Sequence, residues 1–370
     1  MRSEGLPGAV RADVEALAAM DRASAREGER AAAAWGADRL GAVGATAVRT
    51  QSFRYSSGWG LAQVVPMLAA ATGRLPALAA LAALELDFSG RAQPLRRVLP
   101  RGEGANVIAS VPAREVAHST VVLVAHHDAA QTGLLWSSPF ADSGAKPGGR
   151  PPMTLLTELA MAAMAVGPRR LRWPARALLA LGVGLSLDVY RGATVPGASD
   201  NATGAAAVIE LARRLAADPL PRTEVRVVLT GCEEPGMGGM AAWMREHGRR
   251  LDPATTLVLG LDTLGGGEPM VASAEGPLWR VRYRPEDLEL ADHGARAAGQ
   301  PLPRRFRIGG YTDPALARIA GLPTVSLLSL RGNVFNDYHL HSDTPEHVDW
   351  DSVDSCLEIA EATVRGWAEV

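Results

Sequence analysis

The chain has 370 residues, enough for one large domain or two ordinary ones, and its formal net charge at pH 7 is −2. A charge this close to zero, without any run of like charges, indicates no nucleic-acid partner. Two cysteines, Cys232 and Cys356, make no disulfide framework. Because the N-terminus also lacks the apolar core of a signal peptide, we expect a cytoplasmic protein, with membrane association as an open addition.

Predicted helices and strands alternate along the chain. An alanine-rich pattern over residues 11–41 predicts one long helix that ends at Gly41. In chain order there follow strands over 46–55, 105–112 and 121–126, a helix over 201–217, a strand over 224–231, a helix over 239–251, a strand over 255–266, a helix over 285–299, a strand over 322–330 and a helix over 349–370. This order predicts a single α/β domain over 1–370, with a mostly parallel mixed sheet and helices on both faces.

Two apolar stretches interrupt this alternation and predict inserted helical hairpins. Residues 57–90 and 150–190 each contain an apolar run, a turn with glycine and arginine, and a second apolar run. Each arm has only about 12–15 residues, whereas about 20 are needed to span a bilayer. We therefore predict that the hairpins pack mainly on each other beside the active site. The alternative is shallow insertion into a membrane, and an apolar face would suit a membrane surface or a second copy of the chain.

Acids and histidines stand where the apolar strands end. Ligands of open α/β sheets bind at the carboxyl ends of the strands, so these side chains should meet. Each alone has an ordinary explanation, such as a helix cap for Asp200 or a solvated surface for paired glutamates. In chain order the set is His126, Asp128, Asp200, Glu233, Glu234, Asp262 and His339. Two imidazoles with several carboxylates suit zinc, and the count fits two ions that share a carboxylate better than one catalytic ion.

Five motifs carry a family resemblance. The stretches "AHHDAA", "PGASDNATGAAAVIELA", "TGCEEPGMGGM", "LGLDTLGG" and "YHLHSDTPE" resemble, in this order, the ligand motifs of the M28 zinc aminopeptidases. Residues 13–53 are also similar to the opening helix and first strand of that family. The resemblance covers most of the chain outside the two hairpins and implies the zinc-exopeptidase fold.

The resemblance implies a set of metal ligands for two zinc ions per chain. In this set, Asp200 bridges the two ions. One site is completed by His126 and Asp262, and the other by Glu234 and His339.

The resemblance also implies the catalytic roles. Glu233 would be the general base, and Asp128 would orient the imidazole of His126. Tyr338 matches a position that donates a hydrogen bond to the oxyanion in some members, although simple packing beside the metal site is an equal alternative. A cis peptide bond between Asp200 and Asn201 is implied as well.

The two adjacent glutamates are separated by a geometric argument. In an extended segment successive side chains point in opposite directions, so Glu233 and Glu234 should not face the same metal. One is then left to take a proton from the attacking water and pass it to the leaving amine.

Three further side chains near the motifs have simpler interpretations. We predict that His127 forms part of the wall of the site and that His341 is not a ligand. Cys232 is interpreted as a small buried apolar residue rather than a nucleophile.

These residues predict hydrolysis of a peptide bond, with release of an N-terminal residue from a peptide substrate. Other amide chemistries of the same fold, carboxypeptidase or glutaminyl-cyclase-like acyl transfer, are alternatives. A catalytically inactive binding relative is a further alternative, disfavoured because all five ligands and Glu233 are present. The long gap between His126 and Asp200, and an incomplete pattern around Thr312 and Asp313, leave the substrate preference undetermined.

Overall fold

The computed structural model describes residues 8–137 and 153–369. Over these residues a nine-stranded mixed sheet runs through the molecule in the order β1-β2-β4-β3-β5-β9-β6-β7, and β8 also pairs with β6. The strands are β1 (Thr46–Ser56), β2 (Arg101–Val111), β3 (Ser119–His126), β4 (Thr223–Thr230), β5 (Thr256–Leu261), β6 (Glu268–Glu275), β7 (Val281–Arg282), β8 (Arg304–Ile308) and β9 (Thr324–Leu330). The α/β prediction is confirmed, although β6, β7 and β8 were not predicted.

The centre of the sheet is parallel, and its margins are antiparallel except for the parallel pair of β6 and β8. Strands β4, β3, β5 and β9 pair in parallel, whereas β1, β2 and β4 pair antiparallel, as do β6 and β9. Central parallel strands are covered on both faces, which explains the uninterrupted apolar run of β3. The carboxyl ends of β3, β4, β5 and β9 therefore lie at one edge of the sheet.

The helices that the structure describes are α1 (Gly8–Ala18), α2 (Glu27–Ala42), α3 (Trp59–Thr72), α4 (Arg74–Phe88), α5 (Pro94–Val98), α6 (Leu134–Ser137), α7 (Met153–Val166), α8 (Arg172–Arg191), α9 (Thr203–Ala217), α10 (Gly238–His247), α11 (Pro285–Ala297), α12 (Asp313–Ile319) and α13 (Trp350–Ala368). They lie on both faces of the sheet. Alternate residues of β3 show this, because Val121 and Leu123 belong to one buried core while Val122 and Val124 belong to another. The first core includes α9 and α13, and the second includes α10 and α12.

The single helix predicted over 11–41 is wrong in its middle. Helices α1 and α2 are separated by residues 19–26, where Ala25 has a φ of 56°. This segment buries Arg22 completely, and its guanidinium donates to the main-chain oxygens of His127 and Gly197. The tertiary bonds of one arginine therefore override the helix propensity of the surrounding alanines.

Four helices form what we call the bundle, residues 59–88 and 153–191. Helices α3 and α4 are joined at Gly73, and α7 and α8 by a short turn. Their shared core contains Met67, Leu84, Met161 and Leu179. Gly60 permits the close approach of α3 to α8, because a Cβ there would lie 2.1 Å from the Ser186 oxygen.

The two turns of the bundle lie at the same end, which we call the tip (residues 72–75 and 166–173). Arg74 donates to the Gly167 oxygen, and Arg176 donates to the Ala71 oxygen. Residues 150–152 of the second predicted hairpin lie outside the described residues, and the status of both hairpins as insertions stays a prediction. Among the described helices, none combines the length and the apolar character that a bilayer crossing requires.

Candidate metal centre

Two groups of potential ligands meet at the carboxyl edge of the parallel strands. His126, Asp200 and Asp262 form one group, and Asp200, Glu234 and His339 form the other. Within each group one ligand atom per residue lies within 4.8 Å of the others. Asp200 belongs to both groups.

Distances from the two imidazoles show how Asp200 joins the groups. The Nε2 atom of His126 lies 3.3 Å from Oδ1 of Asp200 and 3.8 Å from Oδ1 of Asp262. The Nε2 atom of His339 lies 3.2 Å from Oδ2 of Asp200 and 3.1 Å from Oε2 of Glu234. One carboxylate thus offers each of its oxygens to a different group.

The fold supplies each of these side chains from a different connection. His126 is the last residue of β3, and Asp262 follows β5 directly. Glu234 lies in the turn after β4, and His339 lies in the loop after β9. Asp200 lies in an irregular turn before α9, and its peptide bond to Asn201 is cis, as predicted.

Asp128 connects His126 to the turn of the paired glutamates. Its carboxylate lies 3.5 Å from Nδ1 of His126 and accepts a hydrogen bond from Ser24. The same carboxylate accepts the main-chain N–H groups of Glu233 and Glu234, at 3.0 and 3.2 Å. It therefore fixes one imidazole and the main chain of both glutamates together.

Asp343 and Asn201 hold the turn that carries Asp200. The carboxylate of Asp343 accepts the main-chain N–H groups of Ser199 and Asp200, at 2.7 and 3.0 Å. The side chain of Asn201 donates to the Leu261 oxygen, directly before Asp262. The turn and the end of β5 are thus bound to each other.

Arg22 is a buried cation beneath the site that the sequence analysis missed. It donates to main-chain oxygens in the loop after β3 and in the turn before Asp200. Burial lowers its pKa to about 10, while the charges of Asp128, Asp343 and Asp200 oppose that change. Arg22 therefore remains charged at neutral pH and offsets part of the negative charge of the site.

Burial and the clustered carboxylates shift the protonation of both imidazoles. Burial alone would lower the pKa of His126, but hydrogen bonds to Asp128, Asp200 and Asp262 raise it well above its ordinary value. Burial opposes the same change at His339, where Glu234 and Asp200 raise the pKa to about 10. The surplus of carboxylates therefore attracts positive charge strongly.

The donor set fits zinc. Each group combines an imidazole nitrogen with two carboxylate oxygens, which are ligands that Zn²⁺ takes in proteins. Among the described residues, Oε1 of Glu234 is buried without a hydrogen-bond partner. Buried acceptors of this kind are normally paired, so a cation is a natural partner for it.

Glu233 lines the same cavity and is not part of either ligand group. Burial raises the pKa of its carboxyl well above the usual range, and the positive charge of His126 opposes this. The extended geometry predicted for the paired glutamates is wrong, because residues 231–237 form a turn in which Gly236 and Met237 donate to the Glu233 oxygen. Only Glu234 approaches the ligands, but a turn and not strand alternation separates the two side chains.

Aromatic side chains line the cavity around His339. Tyr338 stacks on the imidazole of His339 with ring centroids 3.7 Å apart, and Trp136 meets the same imidazole edge-on at 4.4 Å. Trp59 at the start of α3 and Phe88 at the end of α4 also line the cavity. The bundle therefore contributes to the wall of the site, which no motif had indicated.

The remaining histidines and Cys232 lie outside the ligand groups. His127 is fully buried, which lowers its pKa to about 4, and His341 is exposed. The Sγ of Cys232 is buried 3.0 Å from Oε2 of Glu29, and burial raises its pKa well above the ordinary value. A protonated buried thiol is a poor nucleophile.

Part of the chain matches a protein-family model. Residues 185–364 match the model described as Peptidase family M28. The match spans 180 of the 370 residues, and over this segment the chain is similar to peptidase family M28. The matched segment contains Asp200, Glu233, Glu234, Asp262 and His339, whereas the loop of His126 and Asp128 precedes it. The match to a peptidase family supports a hydrolase that acts on peptide substrates.

Solved structures share the fold over nearly the whole chain. An aminopeptidase from Aneurinibacillus sp. strain AM-1 is 14% identical, with a TM-score of 0.60, over 96% of this chain and 92% of its own. A zinc aminopeptidase from Bacillus subtilis is 15% identical, with a TM-score of 0.60, over 97% and 94%. A glutaminyl cyclase from Bacteroides thetaiotaomicron, bound to N-acetylhistamine, is 14% identical, with a TM-score of 0.58, over 97% of both chains. The comparison with curated proteins gave no match.

Proposed function

We propose that this chain is an aminopeptidase that works with two zinc ions and releases N-terminal residues from peptides. The observation that carries the proposal is the position of Asp200. Its two carboxylate oxygens lie 3.3 and 3.2 Å from the Nε2 atoms of His126 and His339, one in each ligand group. A carboxylate shared in this way suits a pair of metal ions better than a single one.

The ligands divide between the two proposed ions. His126, Asp200 and Asp262 would hold one ion, and Asp200, Glu234 and His339 the other. When bound, zinc supplies Lewis acidity toward the scissile carbonyl and toward water. Asp128 would keep the imidazole of His126 in its binding orientation through the contact at Nδ1.

Glu233 is the proposed general base. Its carboxylate would accept a proton from the attacking water and later deliver that proton to the leaving amine. Asp128 supports this role because it binds the main-chain N–H of Glu233 and so holds the residue beside the ligands. Tyr338, which lines the same cavity, would donate a hydrogen bond to the oxygen of the tetrahedral intermediate.

The apolar part of the cavity lining suits an apolar part of the substrate. It is formed by Phe88, Ile308, Tyr311, Leu328 and Phe335. Phe88 and Tyr311 pack edge-to-face with centroids 5.3 Å apart. An apolar first residue of a peptide would bury its side chain against these rings.

Glutaminyl cyclisation is the second candidate. The likeness to a glutaminyl cyclase extends over 97% of both chains, and both chemistries act near the N-terminus of a peptide. They differ in their products. Cyclisation releases ammonia and consumes no water, whereas an aminopeptidase consumes water and releases an amino acid.

A substrate panel with added zinc tests the activity. We expect cleavage of leucine amide and of leucyl peptides, and no cleavage of the same compounds after N-acetylation. A glutaminyl peptide that loses ammonia without shortening would favour the cyclase. Equal cleavage of acetylated and free substrates would contradict an aminopeptidase.

Metal content tests the shared ligand. We expect two zinc ions per chain by elemental analysis after dialysis, and loss of both in Asp200→Ala, because that carboxylate belongs to both sites. Asp38→Ala, an exposed carboxylate on α2, is the matched control and should keep both ions. Retention of two tightly bound ions by Asp200→Ala would exclude the bridging role.

A further inference from the structure

The bundle exposes an unusual share of the large apolar side chains. Of the fifteen that are exposed among the described residues, nine lie on the bundle. The most exposed of them are at the tip, where Leu75 is 80%, Val166 78% and Trp173 79% accessible. The full set on the bundle is Val65, Leu68, Leu75, Leu78, Leu159, Val166, Leu171, Trp173 and Leu181. Exposed apolar groups concentrated in one region mark an interaction surface.

The charged residues in the two central stretches of the bundle are all positive. Residues 59–84 and 159–187 contain five arginines and no aspartate or glutamate. Three of the arginines, Arg74, Arg169 and Arg170, are exposed at the tip itself. The nearest acids along the chain are Glu85 and Glu158, which are buried, and Asp188, which is partly buried and lies near the end of α8 away from the tip. The charged residues of the tip, within residues 72–75 and 166–173, are therefore all arginines.

We propose that the tip docks on the surface of an anionic lipid bilayer. Trp173, Leu75 and Val166 enter the boundary between headgroups and acyl chains, where tryptophan is favoured. Arg169 and Arg170 contact lipid phosphates from the sides of the inserted group. Positive charge next to exposed apolar residues is the combination by which peripheral proteins bind such a surface.

A second copy of the chain fits this surface less well. A two-fold symmetric contact sets the same patch against itself, so the arginines of one tip would face those of the other. No acidic side chain in residues 59–84 or 159–187 is present to pair with them. Unpaired like charges in an interface cost affinity, whereas lipid phosphates supply the missing counter-charge.

The geometry of the bundle sets the active site at a distance from the bilayer. Helix α3 begins at Trp59 in the cavity wall and ends at Thr72 beside the tip. Fourteen helical residues extend about 21 Å. A chain docked by its tip would therefore hold its cavity about 20 Å above the lipid surface and keep it open to water.

Vesicle co-sedimentation of the full chain tests the proposal. We expect binding to vesicles that contain phosphatidylglycerol, weakening as salt rises, and little binding to phosphatidylcholine alone. The single substitutions Arg169→Gln and Arg170→Gln should each weaken binding about five-fold. Trp173→Ser should weaken it on the order of ten-fold.

Matched surface changes elsewhere control for nonspecific effects. Arg249→Gln and Val116→Ser alter an exposed arginine and an exposed valine away from the bundle, and both should bind as the unchanged chain does. All these variants should keep the thermal unfolding midpoint. The proposal is overturned by absent binding at low salt, by equal binding to both vesicle types, or by tip variants that bind normally. A dimer in light scattering that the tip variants dissociate would instead assign the surface to a second copy.

Discussion

The sheet with its packed helices and the bundle depart from the usual distribution of side chains in opposite ways. The sheet buries charge, since Arg22, Asp128 and Asp200 are all enclosed at the edge of the strands. The bundle exposes apolar surface, with Trp173 as its clearest example. Buried charge lowers stability and exposed apolar surface promotes association. Each departure therefore coincides with a proposed site of interaction, the first for metal and substrate and the second for a lipid surface.

The largest expected effect concerns Glu233, the proposed general base. Glu233→Gln should lower kcat on the order of 10²- to 10⁴-fold, because a positioned base supplies a rate factor of that size. Zinc content should not change, since Glu233 is outside the ligand groups. Glu286→Gln, an exposed glutamate on α11, serves as the control. If Glu233→Gln instead lost zinc with little loss of rate in the loaded fraction, the roles of the two glutamates would be exchanged.

The next effect concerns Arg22, a buried charge with a structural role, and the free energy of unfolding. Arg22→Met removes the cation beneath the site and its bonds to main-chain oxygens, and should lower the free energy of unfolding by about 3–5 kcal/mol. Urea unfolding with a chelator present measures this without the contribution of metal. Arg114→Met, an exposed arginine paired with Asp218, should change stability by less than about 1 kcal/mol. Similar small values for both variants would show that Arg22 does not compensate the buried carboxylates.

The core of the bundle allows the same measurement of stability for buried apolar side chains. Leu179→Ala, at a fully buried position of α8, should lower the free energy of unfolding by about 2–5 kcal/mol. Leu181→Ala, half-exposed on the same helix, should stay within about 0.5 kcal/mol. We expect a single unfolding transition, because Trp136 and Val189 pack in one buried cluster at the base of the bundle. An early separate transition in calorimetry would show that the bundle folds independently.

The smallest expected effect concerns Glu275, a buried carboxyl that belongs to neither ligand group. Glu275 accepts hydrogen bonds from Tyr283 and Thr312, and burial raises its pKa from 4.5 to about 7. Since the folded state holds this proton more tightly, the stability it contributes is complete below about pH 4.5 and is lost as pH rises toward 7. From about pH 5 to about pH 8 the unchanged chain should therefore lose on the order of 2–3 kcal/mol relative to Glu275→Gln. Parallel pH profiles of urea unfolding for the two proteins would contradict the shift.

The strand ends that carry the candidate ligands could be predicted because their positions depend on simple rules, whereas the division of these residues into two groups was implied by the family resemblance. An apolar run of β-branched residues predicts a strand, and the ends of neighbouring parallel strands meet at one edge. His126 and Asp262 follow from these rules alone. Residues outside that pattern were missed, because nothing local to Arg22 or Ser24 distinguishes them from the alanine-rich helix predicted there.

The backbone conformation at the site could not be predicted from the local sequence either. Cys232, Met237, Thr263 and His339 all have φ between 51° and 59°, a region that residues other than glycine seldom adopt. Such angles are maintained by surrounding tertiary contacts and not by the residue itself. The strand alternation assumed for Glu233 and Glu234 failed at such a point, one residue after Cys232.

Helices α3 and α4 have one end in the cavity wall and the other near the tip. Trp59 begins the first, and Phe88 ends the second. A tilt of either helix at the tip is therefore transmitted to the cavity wall. Over a length of about 21 Å, a tilt of about 5° at the tip moves the opposite end by about 2 Å. Contact at the far end of these helices would thus alter the width of the opening that a peptide must enter.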